Sequence, residues 1–142
     1  MHRFLLLCPL LVMAALAGLG CEAPGVGDPC EPEEVPDNGF QETEVYLETR
    51  SLQCRTRVCM VNHLKGDPSV TDPTDALYVS PAELERRVYC TCKCDGQDKD
   101  TIRCESCPDG FECCPAFTIG PPGLRGSYCV RKGTCEATAS GG

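Results

Sequence analysis

Seven cysteines crowd the stretch from Cys90 to Cys114: Cys90, Cys92, Cys94, Cys104, Cys107, Cys113 and Cys114. Five more, Cys30, Cys54, Cys59, Cys129 and Cys135, flank it, and Cys8 and Cys21 stand near the start of the chain. Whether such a set binds metal, carries electrons or staples the fold depends on the redox state of its compartment. The first residues address that question. His2 and Arg3 are followed by Phe4 to Leu19, apolar apart from Pro9 and Gly18 and closed by small residues. That run is short for a membrane span, and Pro9 interrupts it. It reads as a secretory signal over residues 1–20, which takes Cys8 with it.

Two processing routes fit. Cleavage after Ala15-Leu16-Ala17 would start the mature chain at Gly18 and leave Cys21 as a thiol. The alternative rests on Leu16-Ala17-Gly18-Leu19-Gly20-Cys21, which resembles the lipobox of bacterial lipoproteins. The resemblance implies an acylated N-terminal Cys21, hence a lipid anchor with several chains, and each buried CH₂ contributes about 0.8 kcal/mol. Parity favours this route, because fourteen cysteines without Cys8 and Cys21 leave an even set of twelve. Glu22 in place of Asp beside that cysteine implies, by the same analogy, an outer membrane.

Residues 21–39 read as an acidic, Pro/Gly-rich tether on that anchor, and the disulfide-rich domain is expected over 40–142. Glu22 to Glu48 contains nine acids and no Lys or Arg, with Pro24, Pro29, Pro32 and Pro36 opposing regular structure. It reads first as a solvated linker; the rival reading is electrostatic, a negative segment pushed away from an anionic lipid surface so that the folded part is held clear of it. If Cys30 is bonded, the eight free residues before it span at most about 28 Å.

Within the domain the residue pattern predicts small, mainly β structure: short strands and hairpins, long loops and one short helix. Gln41 to Arg50 alternates as a strand, with Glu42, Glu44, Tyr46 and Glu48 on one face and Thr43, Val45, Leu47 and Thr49 on the other. A second strand is expected over Leu52 to Val61. Its period aims Cys54 and Cys59 apart, toward different partners, and lets Arg55 and Arg57 pair with the acidic face of the first strand. Lys65 to Asp75 reads as loop. Ser80-Pro81-Ala82-Glu83 has the form of a capping box and predicts a helix to about Arg87.

From Arg87 to Cys94 the strand period places Val88, Cys90, Cys92 and Cys94 on one interior face and Tyr89, Thr91 and Lys93 outside. Cysteines in Cys-x-Cys and the adjacent Cys113-Cys114 are badly placed to bridge each other, so their partners are expected on other segments. Connectivity stays open. Cys104-Glu-Ser-Cys107-Pro108-Asp109-Gly110-Phe111-Glu112-Cys113 resembles the closing turn of EGF-like modules, which implies a turn there. Ala116 to Ile119, Gly120-Pro121-Pro122-Gly123 and Gly126 to Val130 read as a closing hairpin stapled by Cys129 and Cys135.

Seven aromatics in the mature chain, without Trp, bury too little area to offset ordering entropy, so six disulfides are expected to supply the difference. The twelve cysteines Cys30, Cys54, Cys59, Cys90, Cys92, Cys94, Cys104, Cys107, Cys113, Cys114, Cys129 and Cys135 are therefore read as disulfides, with no metal and no cofactor. Asp95, Asp98 and Asp100 lack the spacing of a calcium loop and read as a solvated turn. His63 lacks a nucleophile set beside it and reads as a surface residue rather than a catalytic base. Three arginines beside nine acids argue against nucleic acid.

The chain is also similar to cysteine-rich bacterial lipoproteins. The expectation is a non-enzymatic interaction or structural module at the cell envelope, partnered by the membrane through its anchor and by another envelope or extracellular protein. The rival is a metal-binding or thiol-redox protein using Cys90 to Cys114.

Overall fold

A computed structural model describes residues 25–95, 103–117, 121 and 123–135. Its elements are β1 (Val45–Glu48), β2 (Val58–Asn62), α1 (Pro81–Arg87), β3 (Val88–Thr91), β4 (Phe111–Phe117) and β5 (Gly126–Arg131). β1, β2 and β3 form one antiparallel sheet with β2 in the centre, and β4 with β5 forms a separate antiparallel hairpin. The fold is small, mainly β and rich in disulfides.

β2, Val-Cys-Met-Val-Asn, is buried at every position. A strand flanked by two others and covered on both faces reads as a continuous apolar run instead of an alternating one. The period of two still sorts its side chains. Val58 and Met60 enter a cluster with Leu47, Tyr89, Phe111, Tyr128 and Val130. Cys59 and Val61 enter a second with Phe40, Leu64, Val79, Val88 and Cys90. The register carries this across the sheet: Leu47, Met60 and Tyr89 align on the first face, and Glu48, Cys59 and Cys90 on the second.

The hairpin covers the first face. Beyond β3 the chain runs antiparallel beside β5, where the Cys129 N–H donates to the Cys92 carbonyl at 3.0 Å and the Cys94 N–H to the Ser127 carbonyl at 2.9 Å. The Thr91 hydroxyl donates to the Cys129 carbonyl at 2.6 Å. This second layer corrects the expected outward face, since Tyr89, Thr91 and Lys93 are all buried. It also divides the expected common interior of Cys90, Cys92 and Cys94. Cys90 lies in the second cluster, whereas Cys92 and Cys94 join the first, because regular pairing with β2 ends at Thr91.

α1 starts where Ser80-Pro81 predicts. The Ser80 hydroxyl accepts from the Glu83 N–H at 3.3 Å, and Pro81 occupies the first turn. The reciprocal half of the capping box gives way to an ion pair one turn on, between Glu83 Oε1 and Arg87 Nε at 2.9 Å. The acids of the preceding loop have a local use. Asp67, Asp72 and Asp75 each accept the backbone N–H two residues on, from Ser69, Thr74 and Leu77. These turns lead the chain back to Val79.

Both early strands are shorter than their patterns predict. Residues 49–57 form the connection, and Arg57 takes a positive φ of 61° immediately before β2. That turn removes Arg55 and Arg57 from the cross-strand register with β1. It also brings Cys54 to the same cluster as Cys59, although they bond to different partners.

The proline-rich N-terminal stretch is laid along the sheet. The Gly27 N–H donates to the Cys90 carbonyl and the Cys90 N–H to the Asp28 carbonyl, both at 2.8 Å, so residues 27–28 cover the free edge of β3. Part of the segment expected as tether, Gly27 and Asp28 among the described residues, is thus packed against the domain. Gly39 closes this stretch at φ 68°, with the Gly66 carbonyl oxygen 2.7 Å from where a β carbon would stand. Any side chain there would force apart the reciprocal Phe40 and Gly66 backbone bonds of 2.7 and 3.0 Å.

Candidate functional site

The twelve cysteines from Cys30 onward form six disulfides: Cys30–Cys59, Cys54–Cys90, Cys92–Cys104, Cys94–Cys113, Cys107–Cys129 and Cys114–Cys135. None joins the neighbours of a Cys-x-Cys, of the Cys104-x-x-Cys107 pair or of Cys113-Cys114, so each bridge ties separate segments. Cys30–Cys59 fastens the N-terminal stretch to β2, and Cys54–Cys90 fastens the β1–β2 connection to β3. The other four gather the continuation of β3, residues 104–107 and the hairpin.

The turn carried over from the EGF-like resemblance is present. The Phe111 N–H donates to the Pro108 carbonyl at 3.0 Å, and Gly110 has φ 85°, the positive value a type II turn needs at its third position. It aims Phe111 into the core beside Tyr89 and starts β4.

Three bridges meet at one place. Cys104 Sγ lies 3.3 Å from Cys129 Sγ of the neighbouring disulfide, and Cys92 Sγ lies 3.7 Å from the same atom. The sulfurs of Cys92, Cys104 and Cys129, and those of Cys94, Cys107 and Cys129, fall within 4.8 Å of one another. Cys30, Cys54 and Cys90 make a third such group. Metal ligation requires thiolates, and in each group the sulfurs are committed to disulfides. The chemistry open to this cluster as it stands is thiol–disulfide exchange with an incoming thiol.

Beside the cluster sits an ionic patch, buried at Lys93 and open to solvent at Arg103, that the residue pattern did not signal. Lys93 is 2% exposed, and Asp95 accepts from both the amide and the hydroxyl of Ser127. Burial disfavours the Asp95 carboxylate, but the two Ser127 hydrogen bonds and the charges of Lys93 and Arg103 outweigh it and hold its pKa below the ordinary value. Tyr128 beside it is shifted upward, by burial first and then by the Asp95 charge. The Tyr128 hydroxyl donates to the Leu124 carbonyl at 2.9 Å. Asp95 thus serves the start of β5; Asp98 and Asp100, weighed with it for calcium, lie outside the described residues, as does Cys21.

A depressed carboxylate pKa contributes stability above the unfolded value of about 3.9, and that contribution disappears as pH falls through the folded value. Wild-type protein should therefore lose stability below about pH 4 more steeply than Asp95→Asn. Guanidinium midpoints for both across the acid range test this, and parallel curves would remove Asp95 from the account.

His63 stands just past β2 with φ 54°, its Nδ1 2.8 Å from the Glu42 carbonyl oxygen. A carbonyl only accepts, so that nitrogen carries the proton and ties residue 63 back to the start of β1. Glu33, Glu34, Tyr46, Glu48, Thr49 and Arg50 line a shallow acidic recess at the edge of β1. Burial first, and then the charges of Glu34, Glu48 and Glu33, raise the Tyr46 pKa there.

Comparison with protein-family models, with curated proteins and with solved structures finds no match for this chain.

Proposed function

We propose that this chain is a lipid-anchored, disulfide-stapled protein of the cell envelope or cell surface, acting as a non-enzymatic interaction or structural module. The observation carrying the reading is that all twelve cysteines from Cys30 onward are consumed in six bridges between separate segments. A framework of that kind suits an oxidising, exported setting and holds irregular loops in fixed positions for display. The lipobox-like Leu16 to Cys21 supports an outer-membrane anchor, and the fixed loops support a partner among envelope or extracellular proteins.

The test is the intact mass of detergent-extracted protein, alkylated with and without prior reduction. An acylated N-terminus at Cys21 with twelve cysteines blocked until reduction is the expected result. A chain starting at unmodified Gly18 overturns the anchor.

The contact between Cys104 and Cys129 favours one second reading, a thiol-redox or metal-binding role for the Cys90 to Cys114 region. Thiols that alkylate without reduction, or metal at stoichiometric amounts in native mass spectra, would put that reading first.

A further inference from the structure

The connection between β1 and β2 carries the one large apolar side chain exposed to water among the described residues, Leu52 at 76%. Single exposed leucines are ordinary on protein surfaces. This one stands on a loop clamped on both sides. Ser51 and Cys54 are buried, Cys54 is bonded to Cys90, and the Gln53 amide is held by the backbone of Glu31. Gln53 Oε1 accepts from the Glu31 N–H at 3.0 Å, and its Nε2 donates to the Glu31 carbonyl at 2.9 Å. Arg50, Arg55 and Arg57 around it are exposed.

The position of this loop relative to the N-terminus selects its occupant. The N-terminal stretch runs beside it, with Glu31 on Gln53, and at Gly25 the Arg55 guanidinium stands 3.0 Å from where a β carbon would begin. Four residues lead from Gly25 back to Cys21, a reach of at most about 14 Å. An anchor at Cys21 would therefore hold the Leu52 loop next to the lipid.

We propose that the loop around Leu52 is the face on which the domain rests against its own membrane, with Leu52 entering the headgroup boundary and Arg57 reaching lipid phosphate. The proposal deepens the lipid-anchored reading and rests on it. Burying one leucine changes a docked-to-undocked ratio by about tenfold. That is too little to recruit a free protein and enough to orient a tethered one, whose encounter with the surface is intramolecular. Glu31, Glu33, Glu34 and Glu48 lie close to the loop, so attraction to net negative lipid is not the driving force. Docking should therefore be stronger on zwitterionic vesicles than on anionic ones, which repel these carboxylates.

Because the chain contains no Trp, Leu52→Trp creates a single reporter at an exposed site. The full chain, expressed with its own signal in a bacterium that acylates lipoproteins, is reconstituted in phosphatidylcholine vesicles with and without phosphatidylglycerol. Intact mass reads the acylation and the six disulfides, flotation reads attachment, and quenching by brominated acyl chains or by aqueous iodide reads the position of residue 52. The expected result is acylated, floating protein whose emission moves to shorter wavelength and loses intensity to bromine but not to iodide. Acylated, floating protein quenched by iodide alone overturns the docking while leaving the anchor intact, and turns the loop toward a protein partner. Protein that is neither acylated nor floating overturns the anchor reading and the docking with it.

Discussion

Removing the Cys54–Cys90 bridge by replacing both cysteines with alanine should cost about 4 kcal/mol, whereas removing Cys92–Cys104 in the same way should cost about 3 kcal/mol. The difference comes from loop length. The first bridge closes a separation of 36 residues and the second a separation of 12, and a longer loop releases more entropy to the unfolded chain when it is cut. Packing adds to the ranking. Cys54 and Cys90 are 1% and 0% exposed and lie among Phe40, Val61 and Leu64, so truncating both leaves a void that well-packed neighbours fill only in part. The order also follows from topology, since Cys54–Cys90 is the covalent tie that fixes the β1–β2 connection over β3. Both partners must be replaced together, because a lone thiol would attack neighbouring bridges. Guanidinium midpoints of the two double variants decide the matter, and a larger loss for Cys92–Cys104 would show that loop entropy does not rank the bridges here.

What was legible in the chain follows from where local rules decide the outcome. Ser80 at the N-cap with Pro81 behind it requires nothing beyond its own turn, and α1 forms over the expected residues. Gly126 to Val130 and the segment before the Gly-Pro-Pro-Gly stretch pair as expected, β4 reaching back to Phe111 because the Pro108–Phe111 turn delivers that ring to the core. The alternation of Val58, Cys59 and Met60 sorted those side chains correctly between two faces.

Burial of Tyr89, Thr91 and Lys93 was not legible, because it depends on the later hairpin of Phe111–Phe117 and Gly126–Arg131, and a period of two says which residues share a face without saying whether that face is covered. The same limit hid the role of residues 25–39. Proline and acid content describe a chain without regular structure, yet the free edge of β3 offers backbone partners that accept such a segment regardless of its side chains. Cysteine pairing was closed to pattern reasoning for a further reason. Arg57 at positive φ turns Cys54 toward the same cluster as Cys59, so strand parity misplaces their faces although the two cysteines do bond to different partners.

Tyr89 joins the two layers, and Tyr89→Ala should cost about 3 to 5 kcal/mol, while Tyr89→Phe should cost about 1 kcal/mol. The ring is fully buried. It meets Phe111 edge-on at 5.6 Å between centroids, and the Arg131 guanidinium lies 5.3 Å from its centre. Its hydroxyl accepts from the Arg131 N–H at 3.2 Å, next to Asn62, whose amide donates to the Thr134 hydroxyl at 3.2 Å. Burial also raises the Tyr89 pKa, so the phenol stays neutral and can serve as an acceptor throughout the physiological range. Phenylalanine keeps the ring contacts and the platform for Arg131 but leaves one part-buried N–H without its acceptor. Alanine removes the platform as well, and with it the geometry by which Arg131 donates to the Gly27 carbonyl at 3.1 Å. The loss should therefore extend to the N-terminal stretch. The Gly27 amide, bonded to the Cys90 carbonyl, should exchange its hydrogen faster in Tyr89→Ala than in Tyr89→Phe at equal distance from each variant's unfolding midpoint. Denaturation curves and hydrogen exchange on both variants measure this. Equal stability of the two would assign the joint between layers to the disulfides alone.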